Sequence, residues 1–161
     1  MKRFRLQDSD HAFVREVDSA EFIGGFRGCF TCGTCTAGCP VHRVNKDYDP
    51  RKIVRMLALG FREELLTGDM IWLCSDCYTC QENCPMDIKI TDLINHLKNL
   101  AAGEENVPLG VSTQGKLLNE QGKIYPIDEF DNKKRTKVGL PVLPEMAEEA
   151  KRLLKQRLSG V

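Results

Sequence analysis

All eight cysteines of the 161-residue chain lie in two copies of one short motif. The first copy contains Cys29, Cys32, Cys35 and Cys39, and the second contains Cys74, Cys77, Cys80 and Cys84. Both copies read C-x2-C-x2-C-x3-C-P, and each cysteine of the second lies 45 residues after its equivalent in the first. This internal duplication predicts two equivalent loops in one fold.

The spacing is that of a protein that binds two [4Fe–4S] clusters. A cluster of four irons needs four thiolates, and cysteines at i, i+3 and i+6 let one loop supply three of them. The fourth cysteine, before proline, is the ligand of the other cluster in two-cluster proteins. We therefore predict one cluster on Cys29, Cys32, Cys35 and Cys84, and a second on Cys74, Cys77, Cys80 and Cys39.

Crossed ligands of this kind hold two clusters close together. The chain from Cys35 to Cys39 spans at most roughly 14 Å when fully extended, and the chain from Cys80 to Cys84 spans no more. Such a pair suits the transfer of single electrons. We expect Trp72, just before the second loop, to cover a cluster and exclude water.

Two structural zinc sites are the main alternative for these cysteines. Zinc sites usually use paired C-x2-C hairpins, so three evenly spaced cysteines with a fourth before proline disfavour zinc. A disulfide framework fits the pattern less well again. We expect none of the histidines, His11, His42 and His96, to be a ligand.

Composition and charge argue against several other classes of partner. The formal net charge is zero, so no basic excess indicates nucleic acid. The charged first ten residues do not resemble a signal peptide, and no stretch approaches the roughly 18 apolar residues of a membrane span. We expect a cytoplasmic chain, since a reducing compartment favours thiolate ligation over disulfides.

The segments after the two loops read as helices. Asp49-Pro50 combines a capping residue with proline at the first helical position, and apolar residues then recur at helical spacing. Thr91 is predicted to cap a second helix that ends at Gly103. The fold is therefore predicted to be mainly α, with an α-helical ferredoxin-like domain over residues 29–103.

Extensions flank this domain on both sides. Residues 1–28 carry few structural signals and are predicted to be an N-terminal extension. Residues 104–161 look polar and irregular as far as Pro144, which is predicted to start a last helix with an apolar stripe. We predict that this C-terminal extension docks on neighbouring subunits through Met146, Leu153, Leu154 and Leu158. The alternative is that the helix folds back over the cluster domain.

The second motif gives the chain a specific family resemblance. The second motif reads Ile71-Trp72-Leu73-Cys74-x-x-Cys77-Tyr78-Thr79-Cys80-Gln81-Glu82-x-Cys84-Pro85, and the first reads Cys32-Gly33-Thr34-Cys35-Thr36-Ala37-Gly38-Cys39-Pro40-Val41. Both closely resemble the C subunit of heterodisulfide reductase. Gly139-Leu140-Pro141 in the tail is similar as well. That family occurs in methanogenic archaea, with relatives in other anaerobes and sulfur-metabolising microbes.

The resemblance implies one part of an oxidoreductase complex. In this family, the A subunit holds flavin and further clusters, and the B subunit has Cys-Cys-Gly repeats and reduces the coenzyme M–coenzyme B disulfide. This chain has no Cys-Cys-Gly sequence. Its implied place is between those two proteins, relaying electrons, with a hydrogenase or formate dehydrogenase as a further implied partner. No catalytic motif occurs, so no catalytic site is expected on this chain.

Other functions fit the motifs less closely. Iron–sulfur subunits of succinate, glycolate and glycerol-3-phosphate dehydrogenases share the helical two-cluster module, but usually also carry a plant-type ferredoxin domain or Cys-Cys-Gly repeats. Another anaerobic dehydrogenase, or a related sulfur-metabolising complex, is the alternative within electron transfer. A zinc-stapled interaction module is the alternative from another class, and a brown colour would exclude it.

Overall fold

The structure, a computed structural model, describes residues 5–20, 23, 25–144 and 147–158. These residues form α-helices and short 3-10 turns, and none of them lies in a strand, which confirms the predicted mainly α fold. The helices are α1 (His11–Asp18), α2 (Thr34–Gly38), α3 (Pro40–Val44), α4 (Pro50–Ala58), α5 (Arg62–Leu66), α6 (Thr79–Glu82), α7 (Ile90–Gly103), α8 (Leu109–Gln121), α9 (Glu129–Lys137) and α10 (Glu148–Leu158). The described residues form two compact units, one ending at Asn106 and the other starting at Val107.

The N-terminal segment contributes a helix to the core of the first unit. The Asp10 carboxylate caps α1 by accepting hydrogen bonds from the backbone N–H groups of Ala12 (2.8 Å) and Phe13 (3.0 Å). The bond from Phe13 is the main reason why the pKa of Asp10 is lowered. Phe13, Val14 and Val17 are all buried in the core. The predicted N-terminal extension therefore packs as part of the first unit, and the sequence pattern did not predict α1.

Helix α4 begins where the sequence predicted. Asp49 is its N-cap and accepts a hydrogen bond from the Lys52 backbone N–H (3.2 Å), and Pro50 is its first residue. The chain turns at Gly60, whose φ is +76° and where a Cβ would lie 2.7 Å from the carbonyl oxygen of Asp10. Only glycine accommodates this approach, which brings the end of α4 against the start of α1.

Helix α7 has the predicted buried stripe but a different start. Leu93, Ile94 and Leu97 are fully buried, as the helical spacing predicted. The helix begins at Ile90, so Thr91 lies inside its first turn and the predicted cap is wrong. The hydroxyl of Thr91 contacts a cysteine instead.

The second unit contains more helix than the sequence predicted. The expectation of an irregular segment up to Pro144 is wrong, because α8 and α9 lie there. Helix α9 has a capping box between Asp128 and Asp131. Helix α10 begins at Glu148, beyond Pro144, and packs against α8.

The predicted anchors of the last helix are only partly visible. Leu153 is 53% exposed and Leu154 is half-buried, whereas Met146 and the side chain of Leu158 lie outside the described residues. No described apolar side chain of the second unit belongs to the buried core. Its exposed large apolar side chains are Leu109, Val111, Ile124, Tyr125, Phe130, Val138, Leu140, Val142 and Leu153.

Candidate metal centres

The eight cysteines line two cavities in the first unit. The first cavity is lined by Cys29, Cys32, Cys35 and Cys84. The second cavity is lined by Cys39, Cys74, Cys77 and Cys80. Each cavity takes three cysteines from one loop and the fourth from the other loop. The structure thus brings together the same two groups of four that the spacing predicted.

The two loops share an unusual backbone. Thr31 and Asp76, each between the first and second cysteines of its motif, have φ values of +59° and +51°. Gly33 and Tyr78, each directly after the second cysteine, have φ values of +86° and +61°. Left-handed residues other than glycine cost about 1–2 kcal/mol each, so their repetition indicates a backbone that the fold holds in place. These positions turn each loop around its cavity.

Each loop continues into a short helix that carries its third cysteine. Cys35 in α2 and Cys80 in α6 are both buried, and the two helices pack against each other. The approach is close, since a Cβ at Gly38 would lie 3.3 Å from Cγ2 of Thr79. The contact between α2 and α6 therefore sets how the two cavities lie relative to each other.

A polar side chain of α2 joins the first loop to α4. The Thr36 hydroxyl donates to the carboxylate of Asp49 and accepts from the backbone N–H of Arg51 (3.3 Å). The first N–H groups of a helix have no partner within the helix. Thr36 therefore satisfies one of them and fixes the loop to the helix start.

The equivalent residue of α6 does the same for α7. The Gln81 side-chain carbonyl accepts from the backbone N–H groups of Thr91 (3.2 Å) and Asp92 (3.4 Å), and its amide nitrogen donates to the Asp92 carboxylate (3.0 Å). Gln81 lies 45 residues after Thr36. The duplication thus extends from the cysteines to the residues that position them.

Hydroxyl groups approach three sulfurs of the second cavity. The pairs are Tyr48 with Cys74, Thr91 with Cys80 at 3.5 Å, and Thr79 with Cys77 at 3.5 Å. In the first cavity, the Thr34 oxygen lies 3.4 Å from the Cys32 sulfur. Most of the first cavity is apolar, with a wall formed by Phe30, Val54, Pro85, Met86, Ile88 and Ile90.

The surroundings shift the pKa of five of the thiols, three upward and two downward. Burial raises the pKa of Cys35 and Cys74, and raises that of Cys80 to about 11. A hydrogen bond between the sulfur and a threonine hydroxyl lowers the pKa of the exposed Cys32 and Cys77. Metal ligation needs thiolates, so the buried thiols must release protons when metal binds.

The donor set of each cavity fits an iron–sulfur cluster. Among the described residues, no carboxylate or imidazole lines either cavity, so the available donors are four sulfurs in each. No group of three or more ligands in the described part of the chain is arranged to hold a single metal ion. A four-iron cluster places its thiolates on four different irons.

Two single residues outside the motifs also bear on the sites. Trp72 is half-buried against the core and is not among the residues that line either cavity, so its role in covering a cluster stays a prediction. Tyr48 was missed, because only the fold brings it to a cysteine from the second loop. The one signal in the sequence is its place, two residues before the proline that begins α4.

Comparison with known families first defines the class of protein. Residues 25–88 match the family described as the 4Fe-4S dicluster domain. This match, together with two cavities of four sulfurs, makes the chain an iron–sulfur protein of the electron-transfer type. No helix in the described part of the chain has both the length and the apolar character needed to cross a membrane.

Individual relatives then define the family. The iron-sulfur C2 subunit of CoB–CoM heterodisulfide reductase from Methanocaldococcus jannaschii is 35% identical over 148 residues, which cover 88% of this chain and 78% of that protein. The C subunit of H2:CoB-CoM heterodisulfide,ferredoxin reductase from Methanothermobacter thermautotrophicus is 34% identical over 160 residues, with coverages of 94% and 84%. The C subunit of ferredoxin:CoB-CoM heterodisulfide reductase from Methanosarcina mazei is 40% identical over 134 residues, with coverages of 79% and 82%.

The chain belongs to the family formed by the C subunit of heterodisulfide reductase. It is thus an iron–sulfur electron-transfer component of a multi-subunit oxidoreductase.

Proposed function

We propose that the chain binds two [4Fe–4S] clusters and relays electrons from the flavin-containing A subunit to the disulfide-reducing B subunit. The ligands are Cys29, Cys32, Cys35 and Cys84 for one cluster, and Cys39, Cys74, Cys77 and Cys80 for the other. The observation that carries this proposal is the grouping of the cysteines around two cavities, each with thiols from both loops. When bound, such clusters supply one-electron transfer.

The chain's own residues hold and shield the two sites. The buried Cys35 and Cys80 lie at the packed side of each cavity, whereas Cys32 and Cys77 are exposed. Each site therefore has one edge at the protein surface, where a neighbouring protein can come close. The apolar wall of the first cavity limits the access of water to that site.

Family membership supports the substrate and partners that we propose. The B subunit would reduce the coenzyme M–coenzyme B disulfide with electrons that this chain delivers. The names of the relatives include H2 in one case and H2/formate in another, so a hydrogenase or formate dehydrogenase is a suitable further partner. We place the complex in the cytoplasm, where a reducing environment keeps the cysteines available for iron.

The first experiment tests the crossed ligands. The anaerobically purified chain should contain about eight iron and eight acid-labile sulfide atoms per polypeptide. Cys39→Ser should disturb the cluster held by the second loop, and Cys84→Ser the cluster held by the first. Electron paramagnetic resonance (EPR) of each reduced variant, with the spin coupling between the clusters as the readout, identifies which cluster is affected.

Each variant serves as the control for the other. Loss of the cluster in the same loop as the substitution would show that each motif binds its own cluster. Stoichiometric zinc without sulfide would refute the iron–sulfur assignment as a whole.

We further propose that the second unit, from Val107 onward, docks the chain on its neighbouring subunits. Its support is the exposure of its apolar side chains, of which Leu153 on α10 is an example. Large exposed apolar surfaces usually mark protein contacts. Met146, Leu154 and Leu158 are further proposed anchors.

Deletion of residues 141–161 tests this docking role. We expect the clusters to remain while the yield of the co-purifying flavin-containing and disulfide-reducing proteins falls severalfold, and Leu153→Glu should act in the same direction. Lys155→Glu, an exposed change on the same helix, is the matched control and should leave co-purification unchanged. Loss of clusters from the truncated chain alone would instead support a helix that folds back over the cluster domain.

A further inference from the structure

The duplicated fold places different side chains at one pair of equivalent positions. Tyr48 lies two residues before the start of α4 and lines the second cavity. Ile88 lies two residues before the start of α7 and lines the first cavity. Both are buried, at 1% and 2% exposure. The second cavity therefore receives a phenol where the first receives an alkyl group.

The Tyr48 side chain lines the second cavity together with Cys39, Cys74 and Cys80. Burial raises the pKa of Tyr48, and an interaction between its hydroxyl and the Cys74 sulfur raises it further. A hydrogen bond is electrostatically stronger in a buried site than in water. The phenol is therefore an effective donor to a thiolate at this place.

Helix α3 holds Tyr48 in position. The His42 ring donates from Nδ1 to the Tyr48 carbonyl oxygen (2.6 Å). The backbone N–H of His42 donates to the Cys39 sulfur (3.5 Å), so the same residue contacts a proposed ligand. The second half has no helix at this place, because the chain after Cys84 reaches α7 through a turn.

The other polar contacts largely match between the cavities. The Thr34–Cys32 and Thr79–Cys77 pairs have nearly equal distances of 3.4 and 3.5 Å and occupy equivalent positions. Each cavity also has one cation–carboxylate pair nearby. These are Arg51 with Asp49 (3.9 Å) and Lys98 with Asp76 (3.2 Å). A threonine hydroxyl also lies near the third cysteine of each cavity, with Thr36 at 4.0 Å from the Cys35 sulfur and Thr91 at 3.5 Å from the Cys80 sulfur. The contact of the Tyr48 hydroxyl with Cys74 remains as a difference, because its counterpart in the first cavity is the alkyl side chain of Ile88.

We propose that Tyr48 sets the reduction potential of the second site. Reduction adds a negative charge to a cluster, and a hydrogen bond to a ligand sulfur stabilises the reduced state more than the oxidised state. The Tyr48 phenol therefore raises the potential of the cluster on Cys39, Cys74, Cys77 and Cys80. It moves an electron shared by the two sites toward the edge where Cys77 is exposed. This inference rests on the proposed two-cluster function.

The test is a redox titration of the purified full-length chain, followed by EPR. Tyr48→Phe should lower the equilibrium constant for reduction of one cluster by about three- to tenfold. The midpoint potential of that cluster becomes more negative accordingly, and a tenfold change corresponds to about 59 mV for one electron. The other midpoint should not move. The cluster that shifts should be the one disturbed by Cys39→Ser.

Tyr78→Phe is the matched control. Tyr78 also lines the second cavity, but its hydroxyl donates to the Asp92 carboxylate (3.5 Å) and not to a sulfur. Removing this hydroxyl should leave both midpoints unchanged. Equal shifts in Tyr48→Phe and Tyr78→Phe would overturn the assignment of the effect to a sulfur hydrogen bond.

A second variant keeps the test decisive if the Tyr48→Phe protein incorporates its clusters poorly. Fluorotyrosine at position 48 retains the ring and has a more acidic hydroxyl, which is a stronger donor, so the same midpoint should rise. Unchanged midpoints in a loaded protein would overturn the role of Tyr48 and leave the proposed function intact. A wild-type chain without clusters would overturn both.

Discussion

The two halves of the first unit share their loops and differ in the segments after them. Both loops have left-handed residues at the same two places, and both end in a cysteine followed by proline. After Pro40 the chain forms α3 before it reaches α4, whereas after Pro85 it passes through a turn with Asp87 at a φ of +52° directly to α7. The duplication has therefore kept the arrangement of the sulfurs and changed their surroundings. Two sites with the same donors are in this way chemically different.

The residues that anchor the loops show the same division. Thr36 accepts one backbone N–H of α4 and donates to Asp49, whereas Gln81 accepts two N–H groups of α7 and donates to Asp92. The longer amide side chain reaches partners that a threonine hydroxyl cannot. The second loop is consequently bound to its helix by more hydrogen bonds than the first.

We expect the largest difference in stability between the two halves when the side chains that join the loops to their helices, Thr36 and Gln81, are removed. Gln81→Ala leaves two N–H groups of α7 without their side-chain partner and removes one of the two donors to the Asp92 carboxylate, and each buried group left unsatisfied costs about 1–3 kcal/mol. Thr36→Val should cost less, because fewer bonds are lost. The stability of both variants is measured by the rate at which the clusters lose their colour in guanidinium under anaerobic conditions.

The exposed Gln114→Ala in α8 is the control for this pair. A Gln81→Ala protein that bleaches no faster than Gln114→Ala would contradict the anchoring role. An equal effect of Thr36→Val and Gln81→Ala would remove the predicted difference between the halves.

We expect a smaller loss of stability from substituting the residue directly after the second cysteine of each motif, Gly33 or Tyr78. Gly33→Ala places a side chain at a φ of +86° and should cost about 1–2 kcal/mol, because left-handed backbone disfavours a Cβ. Gly33→Asn should cost less, since asparagine tolerates this conformation. The midpoint temperature of cluster bleaching measures the change.

Tyr78→Gly is the reciprocal substitution in the other half. It relieves the left-handed tyrosine but increases the freedom of the unfolded chain, so its net effect should be smaller than that of Gly33→Ala. If Tyr78→Gly destabilised the protein as much as Gly33→Ala, the contacts of the tyrosine ring would outweigh its backbone cost.

The sequence predicted the features that are written in local patterns. Cysteine spacing predicted which thiols come together, and Asp49-Pro50 predicted the start of α4. In both cases a few neighbouring residues determine the outcome. The start of α7 was predicted wrongly, because its N–H groups are capped by Gln81 from another helix and not by a neighbouring side chain.

The remaining features depend on contacts between distant residues or on weak patterns. Tyr48 meets Cys74 only after the two loops pack together, and its place two residues before Pro50 does not by itself predict which cysteine it contacts. Helices α8 and α9 were missed because no buried stripe marks them, as all their large apolar side chains stay outside the core. Without a periodic stripe, the Pro and Gly residues around them suggested loops.

The sharing of both cavities between the two loops also affects the synthesis of the chain on the ribosome. At about 5–20 residues per second, roughly 3–11 s pass between the addition of Cys29 and that of Cys84. During that interval the thiols of the first loop have no complete cavity, because the first cavity needs Cys84 and the second needs three later cysteines. The second cavity has all four of its cysteines once Cys80 has been added, and the first only once Cys84 has been added. The four thiols of the first loop are therefore made before either site is complete, and they wait longer for a complete site than the thiols of the second loop.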